Sequence, residues 1–319
     1  MNKSITINNI PKYIQKLSRD YMVYFPIKNN HEISFTNDLS RLNKLQFGLP
    51  QIPPKEFFLP ADETILNLSK GAFKKTQSKN NKKIIFGIHP QDIKALTLIN
   101  KIFTKANDPI YTNHLKNFYI IGLGDYTFSQ DFKCDIFLKS NADMYDMILY
   151  NPKAQNLLKY HNLFSNTAFI EQKNICEIDP IFEDTAKLAM IVEESYDHPI
   201  WEELAQIDLG CGICTYTCPM CYCFETYDKL ELNCANCAKR HRRWSSCFQS
   251  DFFEIASHNF RPKLRDRIYN WYHHKFVRMP REIGHIGCVD CGRCIRYCPA
   301  KINFKSVLKT LIDDYDKKN

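Results

Sequence analysis

One short run constrains this chain more than any other part of it. From Gly287 to Pro299 it reads Gly-Cys-Val-Asp-Cys-Gly-Arg-Cys-Ile-Arg-Tyr-Cys-Pro, a C-x2-C-x2-C-x3-C-P pattern. Three thiols at a two-residue step wrap a tight loop around one corner of a cubic [4Fe–4S] core. The fourth, after a three-residue step, points away toward a second cluster, and the proline stops the turn. Zinc sites share the C-x2-C element but seldom a third cysteine at the same step followed by Cys-Pro. The spacing therefore predicts an iron–sulfur cluster on Cys288, Cys291 and Cys294, and it requires another cluster for Cys298.

The partner loop lies upstream, where Asp208 to Pro219 reads Asp-Leu-Gly-Cys-Gly-Ile-Cys-Thr-Tyr-Thr-Cys-Pro. On the same template Cys211, Cys214 and Cys218 take the second, third and fourth cysteine positions, and Asp208 takes the first. Shared crosswise, cluster one draws on Asp208, Cys211, Cys214 and Cys298; cluster two draws on Cys288, Cys291, Cys294 and Cys218. A carboxylate is a harder and weaker ligand for iron than a thiolate, so an Asp208-bound iron would be labile or open to an external ligand. The alternative makes Asp208 a solvated loop residue, with another cysteine closing the cluster.

Of the fourteen cysteines, Cys134 and Cys176 precede residue 211 and the other twelve fall between 211 and 298, so the last third is a metal domain. Cys134 and Cys176 read as structural. No apolar run approaches the roughly 18 residues of a membrane span, and the first residues lack a signal-peptide core. The expectation is a cytoplasmic protein whose reduced cysteines bind metal instead of pairing as disulfides. The formal charge of +8 admits an acidic partner, an anionic cofactor or nucleic acid. Lys239-Arg240-His241-Arg242-Arg243, the densest basic run, reads first as a solvated face and last as a nucleic-acid contact.

The length fits two domains: an α/β partner-docking domain over residues 1–198, and a ferredoxin-like dicluster domain over 199–319 with an Arg/His/Cys-rich insertion at 224–287. The fold class expected is α+β or α/β. Residues 1 to about 69 read as an irregular α/β lead-in, and Ile52–Pro60 as an extended arm with exposed aromatics, too rich in proline for a helix. Lys74–Lys83 reads as a loop or linker. Lys83–Ile88 reads as a buried strand leading through His89-Pro90 into a helix with Ile93, Leu96, Ile99 and Ile102 along one stripe. A second strand at Phe118–Gly122 completes a β–α–β order and implies a parallel pair. Gly122-Leu123-Gly124 lacks the third glycine and helix of a dinucleotide loop and reads as a turn. Helices are expected at Glu183–Tyr196 and Trp201–Gln206.

Cys221, Cys223, Cys234, Cys237 and Cys247 are surplus to the two clusters. Five thiols within 27 residues point to a third metal site, either another [4Fe–4S] cluster or a structural zinc with Cys234-x2-Cys237 as a half-site; the alternative is a set of reduced core or surface thiols. None of the nearby histidines (His241, His258, His273, His274, His285) is assigned as a ligand.

The combined pattern resembles the dicluster iron–sulfur subunits of soluble hydrogenases, the sulfhydrogenase beta subunits, and the iron–sulfur subunit of anaerobic sulfite reductase. It is carried by Pro54–Pro60, by Phe86–Leu96, by Cys218–Phe224, by Arg243–Cys247 and by the final loop. Three departures stand out. Asp208 replaces a cysteine, His89 and Gln91 replace the Arg and Cys of an N-terminal G-x-R-P-C-D segment, and Cys234-x2-Cys237 is an addition. The resemblance implies an electron relay between a flavin/NAD(P)-binding reductase subunit and a catalytic redox subunit handling hydrogen or sulfite, with no nucleic acid and no membrane span. Two rivals remain: an enzyme subunit in which the Asp208-bound iron contacts a small substrate, and a zinc-binding nucleic-acid module.

Overall fold

The computed structural model describes residues 2–69, 72–75, 82–126, 132–167, 179–234 and 236–318. In chain order its strands are β1 (Asn2–Thr6), β2 (Met22–Asn29), β3 (Glu32–Thr36), β4 (Asp62–Ser69), β5 (Ala72–Lys75), β6 (Lys83–Ile88), β7 (Phe118–Gly124), β8 (Ile136–Asn141), β9 (Met144–Leu149), β10 (Ser165–Thr167), β11 (Phe224–Leu230) and β12 (Ala238–Trp244). Its helices are α1 (Ile10–Leu17), α2 (Pro90–Lys105), α3 (Pro109–Lys116), α4 (Thr185–Glu194), α5 (Ile200–Ile207), α6 (Ile213–Tyr216), α7 (Leu264–His273), α8 (Met279–Ile283), α9 (Arg293–Arg296) and α10 (Phe304–Lys318). Two compact units result: 1–58 with 78–177, and 59–77 with 178–319. The division thus falls near 178 instead of 198, and the β4–β5 segment goes with the C-terminal unit.

The first unit is built on an eight-stranded sheet in the order β10-β1-β9-β8-β7-β6-β2-β3. Its centre is parallel, β2 against β6, β6 against β7 and β7 against β8. That centre explains the run Ile84, Ile85, Phe86 and Ile88, all fully buried: a parallel strand covered on both faces needs no polar alternation. Helix α2 crosses over from β6 and, with α3, returns the chain to β7, which is the β–α–β unit the periodicity predicts. The expected turn at Gly122–Gly124 is instead the end of β7, paired with Phe137 to Lys139 of β8. Gly122 is there for close approach, since a Cβ would lie 2.3 Å from Ile93 of α2. The lead-in is regular as well, supplying β1, α1, β2 and β3.

Ile52–Pro60 is another departure from expectation. Pro54–Phe57 forms a 3-10 turn, Phe58 is buried, and Phe57 and Phe58 pack on Phe118 with centroids 5.8 and 5.3 Å apart. Proline excludes an α-helix but is at home in the first turn of a 3-10 segment, and burial of the rings decides the rest. Of Lys74–Lys83, Lys74 and Lys75 end β5, Lys83 opens β6, and 76–81 lie outside the described residues, as does Cys176. Cys134 is buried, and burial raises its thiol pKa far above the ordinary range.

The second unit combines a four-stranded antiparallel sheet, β11-β12-β4-β5, with helices around a core that includes Trp201, Trp271, Tyr272, Phe276 and Phe304. The basic run is β12 itself. Its side chains meet carboxylates of the flanking strands and turn: Lys239 to Glu231 at 2.5 Å, Arg240 to Asp228 at 2.7 Å, His241 to Asp62 at 2.8 Å, Arg242 to Glu63 at 2.7 Å, and Arg243 to Glu225. Most of these pairs are exposed and worth ~0–1 kcal/mol each. Their chief consequence is that the densest cationic stretch is internally neutralised.

Candidate metal centre

Two loops of the second unit carry the cysteines, and they follow the same path. In each, a glycine in the left-handed region, Gly212 or Gly292 at φ +71°, opens a one-turn helix, α6 or α9. The amides of Tyr216 and Arg296 close those turns onto the two glycine carbonyls at 3.2 and 3.0 Å. Two residues earlier the backbone is left-handed again, at Gly210 (φ +61°) and Asp290 (φ +54°). Residue pairs therefore correspond one to one, Cys211 with Cys291, Cys214 with Cys294, and Cys218 with Cys298.

Asp208 corresponds to Cys288, and the correspondence extends to hydrogen bonding. The amide of Gly210 donates to Asp208 Oδ1 at 2.7 Å, and the amide of Asp290 donates to Cys288 Sγ at 3.3 Å. The carboxylate thus occupies the position and accepts the N–H that the thiol does in the other loop. Amides also donate to the last cysteine of each loop at 3.4 Å, Met220 to Cys218 and Ile302 to Cys298.

Residues of both loops come together around the two loop ends. Asp208, Cys214, Cys294 and Cys298 line one cavity, walled by Trp271, Tyr272, Phe248 and Phe304. Cys218 lies among the second-loop thiols, close enough to act on both Cys288 and Cys294. Burial raises the Cys214 thiol pKa, with the Asp208 charge adding to the effect, and burial takes Cys288 up to about 12. Thiols held this way ionise when a metal takes the charge. Burial likewise raises the Asp208 carboxyl, against the pull of the Gly210 amide. Cys211 is exposed and is not among the residues that line the cavity.

Lys275 belongs to the site although nothing in the sequence marks it. Between α7 and α8 the helix widens into a π-turn, His274–Arg278, a distortion frequent at functional sites. It carries Lys275, 3% exposed, whose Nζ donates to Cys218 Sγ at 3.3 Å and to the Gly287 carbonyl at 2.8 Å. Burial alone would lower its pKa, but the surrounding Cys218, Cys221 and Cys288 outweigh burial and raise it. No cysteine motif announces such a lysine; only the π-turn brings it inward.

The five surplus cysteines separate. Cys234 and Cys237 are bonded to each other in a disulfide at the tip of the β11–β12 hairpin, whereas Cys221, Cys223 and Cys247 lie at its base. The expected single group of five is therefore not formed, and Cys234 and Cys237 are paired where reduced, metal-binding thiols are expected.

Residues 208–302 match the family described as "4Fe-4S dicluster domain". The Sulfhydrogenase 2 subunit beta of Pyrococcus furiosus is 30% identical over 324 residues, covering 93% of this chain and 94% of that protein. The chain belongs to the family of sulfhydrogenase beta subunits. No solved structure matches it. Membership and the dicluster match make this beta-type chain an iron–sulfur electron-transfer protein with [4Fe–4S] clusters in its C-terminal part. A mixed α/β unit ahead of that part agrees with the fold class expected from sequence. Among the described residues no helix is long and apolar enough to cross a membrane.

Proposed function

We propose that this chain is the relay subunit of a cytoplasmic oxidoreductase complex. Its first unit docks partners, and its second passes electrons from a flavin/NAD(P)-binding reductase subunit to a catalytic redox subunit. Two [4Fe–4S] clusters do the relaying, one held by Asp208, Cys211, Cys214 and Cys298, the other by Cys288, Cys291, Cys294 and Cys218. The observation that carries the reading is that, between two loops of matching backbone, Cys298 shares a cavity with Asp208 and Cys214 while Cys218 lies near Cys288 and Cys294.

The residues present suit such clusters. Trp271 lines the Asp208–Cys298 cavity, and its buried Nε1–H has no hydrogen-bond partner among the described residues; cluster sulfide is an acceptor that would satisfy it. The void measures only ≈ 40 Å³, so the fit rests on the donor set and not on preformed space. When bound, the clusters supply one-electron chemistry at potentials set by burial and by hydrogen bonds to sulfur. The chain supplies the rest: loop amides donate to Cys218, Cys288 and Cys298, Lys275 places a cation beside Cys218, and the aromatic wall excludes water.

The test is anaerobic purification from the native host. The chain is expected to co-purify with a flavoprotein and a catalytic subunit, and its clusters should be reduced when the flavoprotein receives NAD(P)H. A chain that stays alone and turns over a substrate unaided would overturn the relay reading in favour of an Asp208-centred enzyme.

A further inference from the structure

The base of the β11–β12 hairpin gathers three thiols that the two crossed clusters do not use. In the ladder Phe224 pairs with Trp244, and the Ser245 amide continues it by donating to the Cys223 carbonyl at 3.0 Å. Beyond it the chains leave the ladder, Cys247 in the turn closed by the Gln249 amide on the Ser246 carbonyl and Cys221 in the turn closed by its own amide on the Cys218 carbonyl. The thiols meet there: Cys247 and Cys223 are hydrogen-bonded to each other, Cys221 and Cys214 are near enough to act on Cys247, and Cys221 is hydrogen-bonded to Cys218. None of the three is in a disulfide, and Cys221 and Cys247 are buried.

Beside Cys223 and Cys247 opens a cavity of ≈ 260 Å³ lined by those two, His274, Arg261 and Arg278, among others, with Cys221 buried behind its lining. Its volume and charge decide between metals. A structural zinc draws four donors onto one ion at bonds of about 2.3 Å and would leave most of this cavity unfilled. A cubane instead spreads its thiolates over the corners of an iron–sulfide box. With three thiolates it is anionic, and two arginines lining the cavity supply the opposite charge.

We propose that Cys221, Cys223 and Cys247 hold a third iron–sulfur cluster of the [4Fe–4S] type, in the cavity lined by Arg261, His274 and Arg278. Cys234 and Cys237 take no part in it. Because Cys221 is hydrogen-bonded to Cys218 and Cys247 neighbours Cys214, the third cluster adjoins the crossed pair and lengthens the relay. The proposal rests on the two-cluster reading for its place in the relay.

The test counts metal in the full chain. Protein purified anaerobically and reconstituted with iron and sulfide is expected to carry about twelve irons and about twelve acid-labile sulfides, four per cubane. The double substitution Cys223→Ser/Cys247→Ser should remove about four irons and leave the paramagnetic signals of the other two clusters. Cys234→Ser/Cys237→Ser should remove none. About eight irons in the unsubstituted chain would overturn the third cluster while leaving the crossed pair standing; about four would overturn both. Zinc in place of the last four irons, or an unchanged iron count in Cys223→Ser/Cys247→Ser, would also overturn it. Should that variant fail to fold, the count on the unsubstituted chain still decides.

Discussion

Loop 208–219 and loop 288–299 take the same turns, with Gly212 and Gly292 at the same φ of +71°, and are set in unlike surroundings. The first loop offers a carboxylate at its leading position and opens on a cavity walled by aromatic rings. The second offers a thiol there, and Cys218, which lies near its thiols, accepts a hydrogen bond from the buried Lys275. A Cβ at Gly212 would lie 2.5 Å from Ser246 Oγ, whereas none of the described residues comes within 4 Å of one at Gly292. The backbone fixes where ligands stand. The neighbours set how firmly each iron is held and at what potential it works.

The largest effect should come from breaking the crossing. Cys298→Ser, a change in the second loop, is expected to abolish the cluster of the first, with a loss of about four irons. Cys218→Ser should do the reverse. Iron analysis with paramagnetic resonance separates the two clusters; if each substitution damaged the cluster of its own loop, the ligands would not be crossed.

The glycines come next. Gly292→Ala should cost ~1 kcal/mol, the penalty of a left-handed backbone for an L-residue. Gly212→Ala should cost a further ~1–3 kcal/mol, because it also overpacks against Ser246, whose hydroxyl accepts from Thr215 Oγ1 at 2.9 Å. Anaerobic denaturant titration of the two variants measures the difference, and equal losses would mean that the packing around Gly212 gives way freely.

Lys275→Met should act on one cluster more than the other. A cation beside a ligand thiolate favours the reduced, more negative state, so its removal should lower the potential of the second-loop cluster. The expected size is roughly 60 mV, a tenfold change in a one-electron equilibrium. A redox titration in which both clusters moved together, or neither moved, would remove the asymmetry between the loops.

Smallest in extent is Asp208→Cys, which makes the two loops alike in their ligands. If the carboxylate holds an iron, the unsubstituted protein should lose it on mild oxidation and show a [3Fe–4S] signal, and the variant should resist. Identical oxidative stability and identical titrations would mean that Asp208 accepts the Gly210 amide and does nothing more.

What the sequence disclosed divides along similar lines. The Cys-Pro loops are legible because their spacing is a local geometric specification, and the β6–α2–β7 unit is legible because an all-apolar strand followed by a three- and four-residue stripe has few other uses. Features that depend on distant partners are not legible. Ile52–Pro60 looks like an exposed arm until Phe118 covers its rings, and Gly122 looks like a turn residue until Ile93 packs over it. The run Lys239–Arg243 looks like a cationic patch because Asp62 and Glu63 stand far upstream. Lys275 and Trp271 stay hidden for the same reason: their positions follow from how the helices pack, and no pattern of residue types encodes it.

The pairing of β12 with β4 bears on how the protein is made. Arg242 and its partner Glu63 are 179 residues apart in the chain. A ribosome adding roughly 5–20 residues per second needs about ten seconds or longer to cover that interval. Throughout it β4 and β5 exist without the strand that completes their sheet, while the chain supplying the rest of the eight-stranded sheet emerges and can pair. The second unit is thus assembled last, from a segment made early and held over. Nascent chains arrested before Trp244 should leave β4 with an unpaired edge, the kind of surface on which chaperones act and aggregation starts.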